Sequence, residues 1–106
     1  MTFCNINDIP EKEIIPGYFL KLVHTENVTI AYWRILKNMA MPEHAHPNEQ
    51  TTNIIEGEFE IIINNQHRII KSGDIVVIPK DIPHSGKALT DCKIIDVFYP
   101  LRNDYK

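Results

Sequence analysis

Short runs of β-branched and aliphatic residues alternate with polar turn residues along this chain, and no apolar stripe recurs with a helical period. The pattern is plainest in Glu58-Phe59-Glu60-Ile61-Ile62-Ile63, where Phe59, Ile61 and Ile63 share one face of a strand. Asn64-Asn65 follows as a two-residue hairpin signal, because asparagine tolerates positive φ, and residues 66–71 pair back. The same reading predicts strands over 18–24, 28–37, 50–55, 75–79 and 92–99, with turns at Thr25-Glu26-Asn27, Glu56-Gly57 and Ser72-Gly73-Asp74. Only Asn7 to Ile14, with a cap, a proline and acids after it, predicts a helical turn, ended by Pro16-Gly17. Many short antiparallel strands predict an all-β fold of the jelly-roll or double-stranded β-helix kind. With no repeat or linker to divide it, the chain reads as one domain, residues 1–106, with a short N-terminal arm over about residues 1–16.

The final strand departs from simple alternation. Ile94, Asp96 and Phe98 share one face and Ile95, Val97 and Tyr99 the other, so both faces are largely apolar and both are expected to be covered. One cover is the barrel core; the other is a partner subunit, which makes a homodimer the expected assembly. A carboxylate on the core face is desolvated, its pKa rises, and Asp96 becomes a group able to give and take protons.

A chain of 106 residues with net charge -3 and no basic cluster gives no footing for nucleic acid. No apolar run is long enough to span a membrane, and the first residues lack the order of a signal peptide. Cys4 and Cys92 are expected to be reduced thiols, which places the protein in the cytoplasm.

The candidate chemistry is concentrated in Pro42-Glu43-His44-Ala45-His46-Pro47-Asn48-Glu49-Gln50. In an extended chain His44 and His46 project from one face and can converge on one ion; Gln50 has the same parity, Glu49 the opposite. Pro47 can shift that count, so Glu49 remains a second candidate for the fourth position. Downstream, Gly73-Asp74 opens an apolar strand that ends in Pro79-Lys80-Asp81-Ile82-Pro83-His84.

These residues resemble the two motifs of a small single-domain cupin. His44, His46, Gln50 and Gly57 fall on G-x5-H-x-H-x3,4-E-x6-G, with glutamine where glutamate is usual, and Gly73, Pro79 and His84 fall on G-x5-P-x-G-x2-H-x3-N. Met39, Asp81 and Ala88 depart from the remaining motif positions. The resemblance implies a cupin barrel with a divalent metal on His44, His46, Gln50 and His84. Four neutral donors leave the ion's charge uncompensated and suit nickel, iron, manganese, cobalt or zinc alike.

The ending Asp96-Val97-Phe98-Tyr99-Pro100-Leu101-Arg102-Asn103-Asp104-Tyr105 resembles the D-x-F-x-P-P-R-x-D-[FY] tail of cupins of the pectin-degradation type, which open the ring of 4,5-unsaturated uronates. That resemblance implies catalytic roles for Asp96, Phe98 and Arg102, with Arg102 holding the carboxylate of a small anionic substrate. Leu101 and Thr52-Asn53 depart from it, and the latter pair should line the pocket. The rival readings are an iron-dependent dioxygenase and a binding module that holds metal and ligand without turnover.

Overall fold

The computed structural model describes residues 2–105. A 3-10 turn, Ile6–Asp8, precedes ten strands: β1 (Lys12–Ile15), β2 (Tyr18–His24), β3 (Thr29–Ile35), β4 (Ala40–His44), β5 (Glu49–Glu56), β6 (Glu58–Ile63), β7 (Gln66–Lys71), β8 (Ile75–Ile78), β9 (His84–Ala88) and β10 (Cys92–Tyr99). A second 3-10 turn covers Asn103–Tyr105. All pairings are antiparallel, in one sheet of order β1-β2-β3-β10-β5-β8 and another of order β4-β9-β6-β7. The fold is the all-β cupin barrel, its core made by inward residues of both sheets such as Leu20, Ile54, Phe59, Ile78 and Phe98.

Backbone geometry explains the punctuation. Asn64 and Asn65 have φ of 48° and 66°, the left-handed pair that a two-residue hairpin requires. Asp81 stands where the second motif has glycine and still takes φ 64°, its amide donating to the His46 carbonyl at 2.8 Å. Gly57 has φ 94°, and an added Cβ would collide with the Asp91 carbonyl while lying 2.9 Å from the Cys92 sulfur. Gly57→Ala is therefore expected to lower stability by about 2–3 kcal/mol, read as a drop in the denaturation midpoint with an unchanged m-value.

Three expectations change. The helical turn predicted from Asn7 is capped instead by Asn5, whose side chain accepts from the Asn7 amide, and ends at Asp8. Residues 12–15 then pair with β2, because an exposed sheet edge offers Lys12 and Glu13 ladder partners that an isolated helical turn lacks. The stretch carrying both motif histidines is not one strand: β4 ends at His44, residues 45–48 form a loop, and β5 begins at Glu49. β9 has no counterpart in the sequence reading, since His84-Ser85-Gly86 has turn composition. Gly86 is required there because the Phe59 ring packs on its Cα. Among the described residues no helix is long and apolar enough to cross a membrane.

Candidate metal centre

His44 and His84 are direct cross-strand partners at the ends of β4 and β9, with ring centroids 4.3 Å apart. His46 reaches the same point from the loop, 5.8 Å from His44 and 5.0 Å from His84. Their ligand atoms lie within 4.8 Å of one another. Each ring is held by a backbone carbonyl two residues away: Nδ1 of His44 faces the Pro42 oxygen at 2.9 Å, that of His46 the Asn48 oxygen at 3.0 Å, and that of His84 the Ile82 oxygen at 2.9 Å. A carbonyl only accepts, so every Nδ1 carries the proton and every Nε2 presents a lone pair. This is the tethering that metal-ligating histidines need.

Two features show that the arrangement fits a cation. Nε2 of His84 is buried without a hydrogen-bond partner. Nε2 of His46 faces Oε1 of Gln50 at 3.0 Å, while the Gln50 amide donates to the Thr52 hydroxyl at 2.9 Å and so fixes that oxygen toward the ring. An imidazole nitrogen and an amide oxygen brought to one point are two donors that a cation can share. Burial opposes a proton in that place: it lowers His46 below the usual imidazole range and takes His84 down to about 4, so the His84 proton does not compete with a cation at neutral pH. Gln50 is buried and Glu49 exposed, which follows the strand parity.

Asp96 lies on the inner face of β10 beside this cluster, between Ala31 and Thr52 on the flanking strands. The Trp33 indole donates to its Oδ2 at 2.9 Å, and Oδ1 is buried with no donor in hydrogen-bond geometry. Burial raises the carboxyl to about 6, against the lowering pull of Thr52, Trp33, Gln50 and the charge on Arg102. His84 and Asp96 line one interior cavity of about 60 Å3, together with Gln50, Thr52 and several apolar side chains. Trp33 was not anticipated as a functional residue, although a buried indole N–H needs an acceptor and Asp96 faces the same core.

Phe98 is buried edge-on to His46, with centroids 5.5 Å apart. The Arg102 guanidinium lies 4.8 Å from the Phe98 ring and 4.1 Å from the Tyr105 ring. Its Nε and Nη2 donate to Asp104 at 2.9 and 2.6 Å, so one edge of the fork is taken by the chain itself. The same pairing holds the Asp104 carboxyl below its ordinary range. The Arg102 amide donates to the Thr29 hydroxyl at 2.9 Å, and the Asn48 amide donates to the Pro100 carbonyl, which ties the His46 loop to the exit of β10.

A jelly-roll barrel with three histidines converging at one end defines the cupin class, and the chain belongs to the cupin domain family, matched over residues 31–98. It is 26% identical over 102 residues to the pectin degradation protein KdgF of Dickeya dadantii (strain 3937), covering 93% of both chains. The solved structure of KdgF from Halomonas sp. superposes with a TM-score of 0.94 at 25% identity, over 100% of this chain and 99% of that one. A salicylate 1,2-dioxygenase from Pseudoaminobacter salicylatoxidans shares the fold at a TM-score of 0.79 and 15% identity, over 82% of this chain and 26% of that one.

Proposed function

We propose that the protein is a cytoplasmic, metal-dependent enzyme that opens the ring of a 4,5-unsaturated uronate or a related small acidic sugar, with His44, His46, Gln50 and His84 as metal ligands. The observation that carries this reading is the Asp96 carboxylate, buried, held by Trp33 on one oxygen and bare on the other beside the histidines. A protein that only bound an anion would gain nothing from that charge. The likeness to the two pectin degradation proteins and the Asp96-to-Tyr105 tail support the substrate class.

A divalent cation on four neutral donors supplies Lewis acidity toward the sugar oxygens. Asp96 takes the proton of the C1 hydroxyl as the bond from C1 to the ring oxygen breaks and the C1 carbonyl forms. The released C5 enolate then becomes a ketone as that proton is returned at C4, so the reaction is an isomerisation with no water or redox equivalent consumed. A carboxyl raised to about 6 suits both transfers. Phe98 packs against the substrate ring, and Arg102 offers its free edge to substrate oxygens. The test is to follow the ultraviolet absorbance of the C4–C5 double bond in the unsaturated uronate with metal-replete protein. Loss well above the spontaneous rate is expected; no acceleration with any of the five metals would sink the reading. Oxygen uptake with iron and an aromatic acid would favour the dioxygenase instead.

The outer face of the larger sheet supports a homodimer. Val97, Thr51 and Val77 form one row across it, and Ile95, Asn53 and Ile75 the next. Ile75, Val77 and Tyr99 are exposed while Ile95 and Val97 are half-buried. A sheet apolar on both faces needs a second layer, and a second copy supplies a matching one. Val77→Lys is expected to turn a dimer into a folded monomer by light scattering. A wild-type monomer at high micromolar concentration would exclude the assembly.

A further inference from the structure

Asn48 closes the loop between β4 and β5, and it is buried although it is polar and lies outside both strands. A buried amide persists where its groups have partners. Here the partners belong to two different parts of the candidate site. The Asn48 backbone carbonyl accepts from Nδ1 of His46 at 3.0 Å, and the Asn48 side-chain amide donates to the Pro100 carbonyl. A carbonyl only accepts, so the atom turned toward Pro100 is the amide nitrogen.

The strand register explains why a side chain is needed. Phe98 pairs with Gln50 and Tyr99 with Glu49, so one step further along both strands Pro100 comes opposite Asn48. Proline has no amide to donate, and β5 begins only at Glu49, so backbone pairing stops there. The Asn48 side chain carries the contact one residue past the end of the ladder and leaves its own carbonyl to His46. Two residues on, the Arg102 amide donates to the hydroxyl of Thr29, which is wholly buried. Residues 100–102 are thus held at both ends, by Asn48 from the loop and by Thr29 from β3. That anchoring sets the Arg102 guanidinium 4.8 Å from the Phe98 ring, which stands edge-on to His46. His46, Asn48, Pro100 and Arg102 line one open cleft of about 460 Å3.

We propose that Asn48 is a positioning residue that links the metal centre to the tail: its carbonyl orients His46 as a ligand, and its side chain fixes the start of the segment that presents Arg102 to substrate oxygens. The assignment rests on the metal-dependent, acidic-sugar reading given above. Asn48 acts through His46 and Arg102, not on the reacting atoms. Without its amide the loop parts from Pro100, the carbonyl behind His46 moves with it, and the tail keeps only its Thr29 anchor.

The experiment compares wild type with Asn48→Leu, which keeps the volume and removes the donor, and with Thr29→Val, which removes the other anchor and leaves the His46 loop untouched. In the metal-free full chain, at a pH where imidazole is neutral, long-range proton–nitrogen magnetic resonance should show the Nδ1-protonated tautomer of His46 in wild type. Asn48→Leu should show a mixture of both tautomers. Zinc affinity, read by competition with a chromophoric chelator, should fall about tenfold in Asn48→Leu and stay unchanged in Thr29→Val. Glucuronate affinity at saturating zinc should fall about 3–10-fold in both. Each variant loses one buried hydrogen bond, so a merely structural role would weaken zinc equally in the two. An equal loss of zinc affinity would therefore overturn the proposal, as would a wild-type tautomer and zinc affinity in Asn48→Leu. Asn48→Ala carries the same expectations if the leucine is not accommodated. Turnover of the unsaturated uronate separates the two claims. Zinc and tautomer effects without turnover refute ring opening and keep the role of Asn48, whereas turnover with zinc affinity and tautomer indifferent to Asn48 refutes the role and keeps ring opening.

Discussion

Asp96→Asn is expected to be slower and more stable than the wild type. Loss of the proton-transferring group should lower kcat by about 10²–10⁴-fold. The gain in stability follows from burial. Burial raises the folded carboxyl to about 6, against an ordinary 3.8 in the unfolded chain, so between those values the folded state holds more protons than the unfolded. Stability therefore falls as pH rises through that window, and above it the folded protein carries the full cost of a desolvated charge, about 3 kcal/mol. Asparagine keeps an oxygen for the Trp33 indole and removes the charge. In the metal-free protein the variant should match the wild type near pH 4 and unfold at a distinctly higher temperature at pH 7.5. The difference between the two proteins isolates Asp96 from the buried histidines, which titrate in both. A gain of equal size at pH 4 would show that something other than the carboxylate's ionisation is responsible, and full activity in the variant would remove Asp96 from the mechanism.

The second large effect is on metal retention. Wild type loaded with a divalent transition metal and desalted should keep close to one ion per chain by elemental mass spectrometry. His84→Ala removes the donor whose Nε2 is buried without any other partner and should weaken retention at least tenfold. Gln50→Ala should cost less, an amide oxygen being the weakest donor of the four, and Glu49→Ala should cost nothing because that side chain is exposed on the opposite face of β5. Metal should also raise the wild-type unfolding temperature by mass action and leave that of His84→Ala nearly unmoved. Retention that is insensitive to His84, or lost with Glu49, would dismantle the proposed ligand set.

Much of the barrel was legible in the sequence, because alternation and turn chemistry are local signals. Tyr18–His24, Glu58–Ile63, Gln66–Lys71 and Cys92–Tyr99 are strands with those bounds, and the Asn64-Asn65 hairpin sits where positive φ is tolerated. What escaped depends on partners distant in the chain. β1 forms because β2 offers it an edge, and β9 forms around a glycine whose missing side chain makes room for Phe59. At the candidate site, the parity of Gln50 and the inward face of Asp96 could be read from strand period alone. The roles of Trp33 and Asn48 could not, since each acts by a hydrogen bond fixed in three dimensions, across 63 residues for the Trp33–Asp96 pair and 52 for Asn48–Pro100.

The backbone tethers on the three histidines also bear on what it costs to load the site. Each imidazole is oriented by a carbonyl two residues away. Side chains already fixed by the fold lose little freedom on taking a ligand, so more of their donor strength is kept as affinity. Because the candidate donors are imidazoles and an amide, which several transition metals accept, the ion such a site would take depends on which metals its surroundings supply as well as on the shape of the barrel.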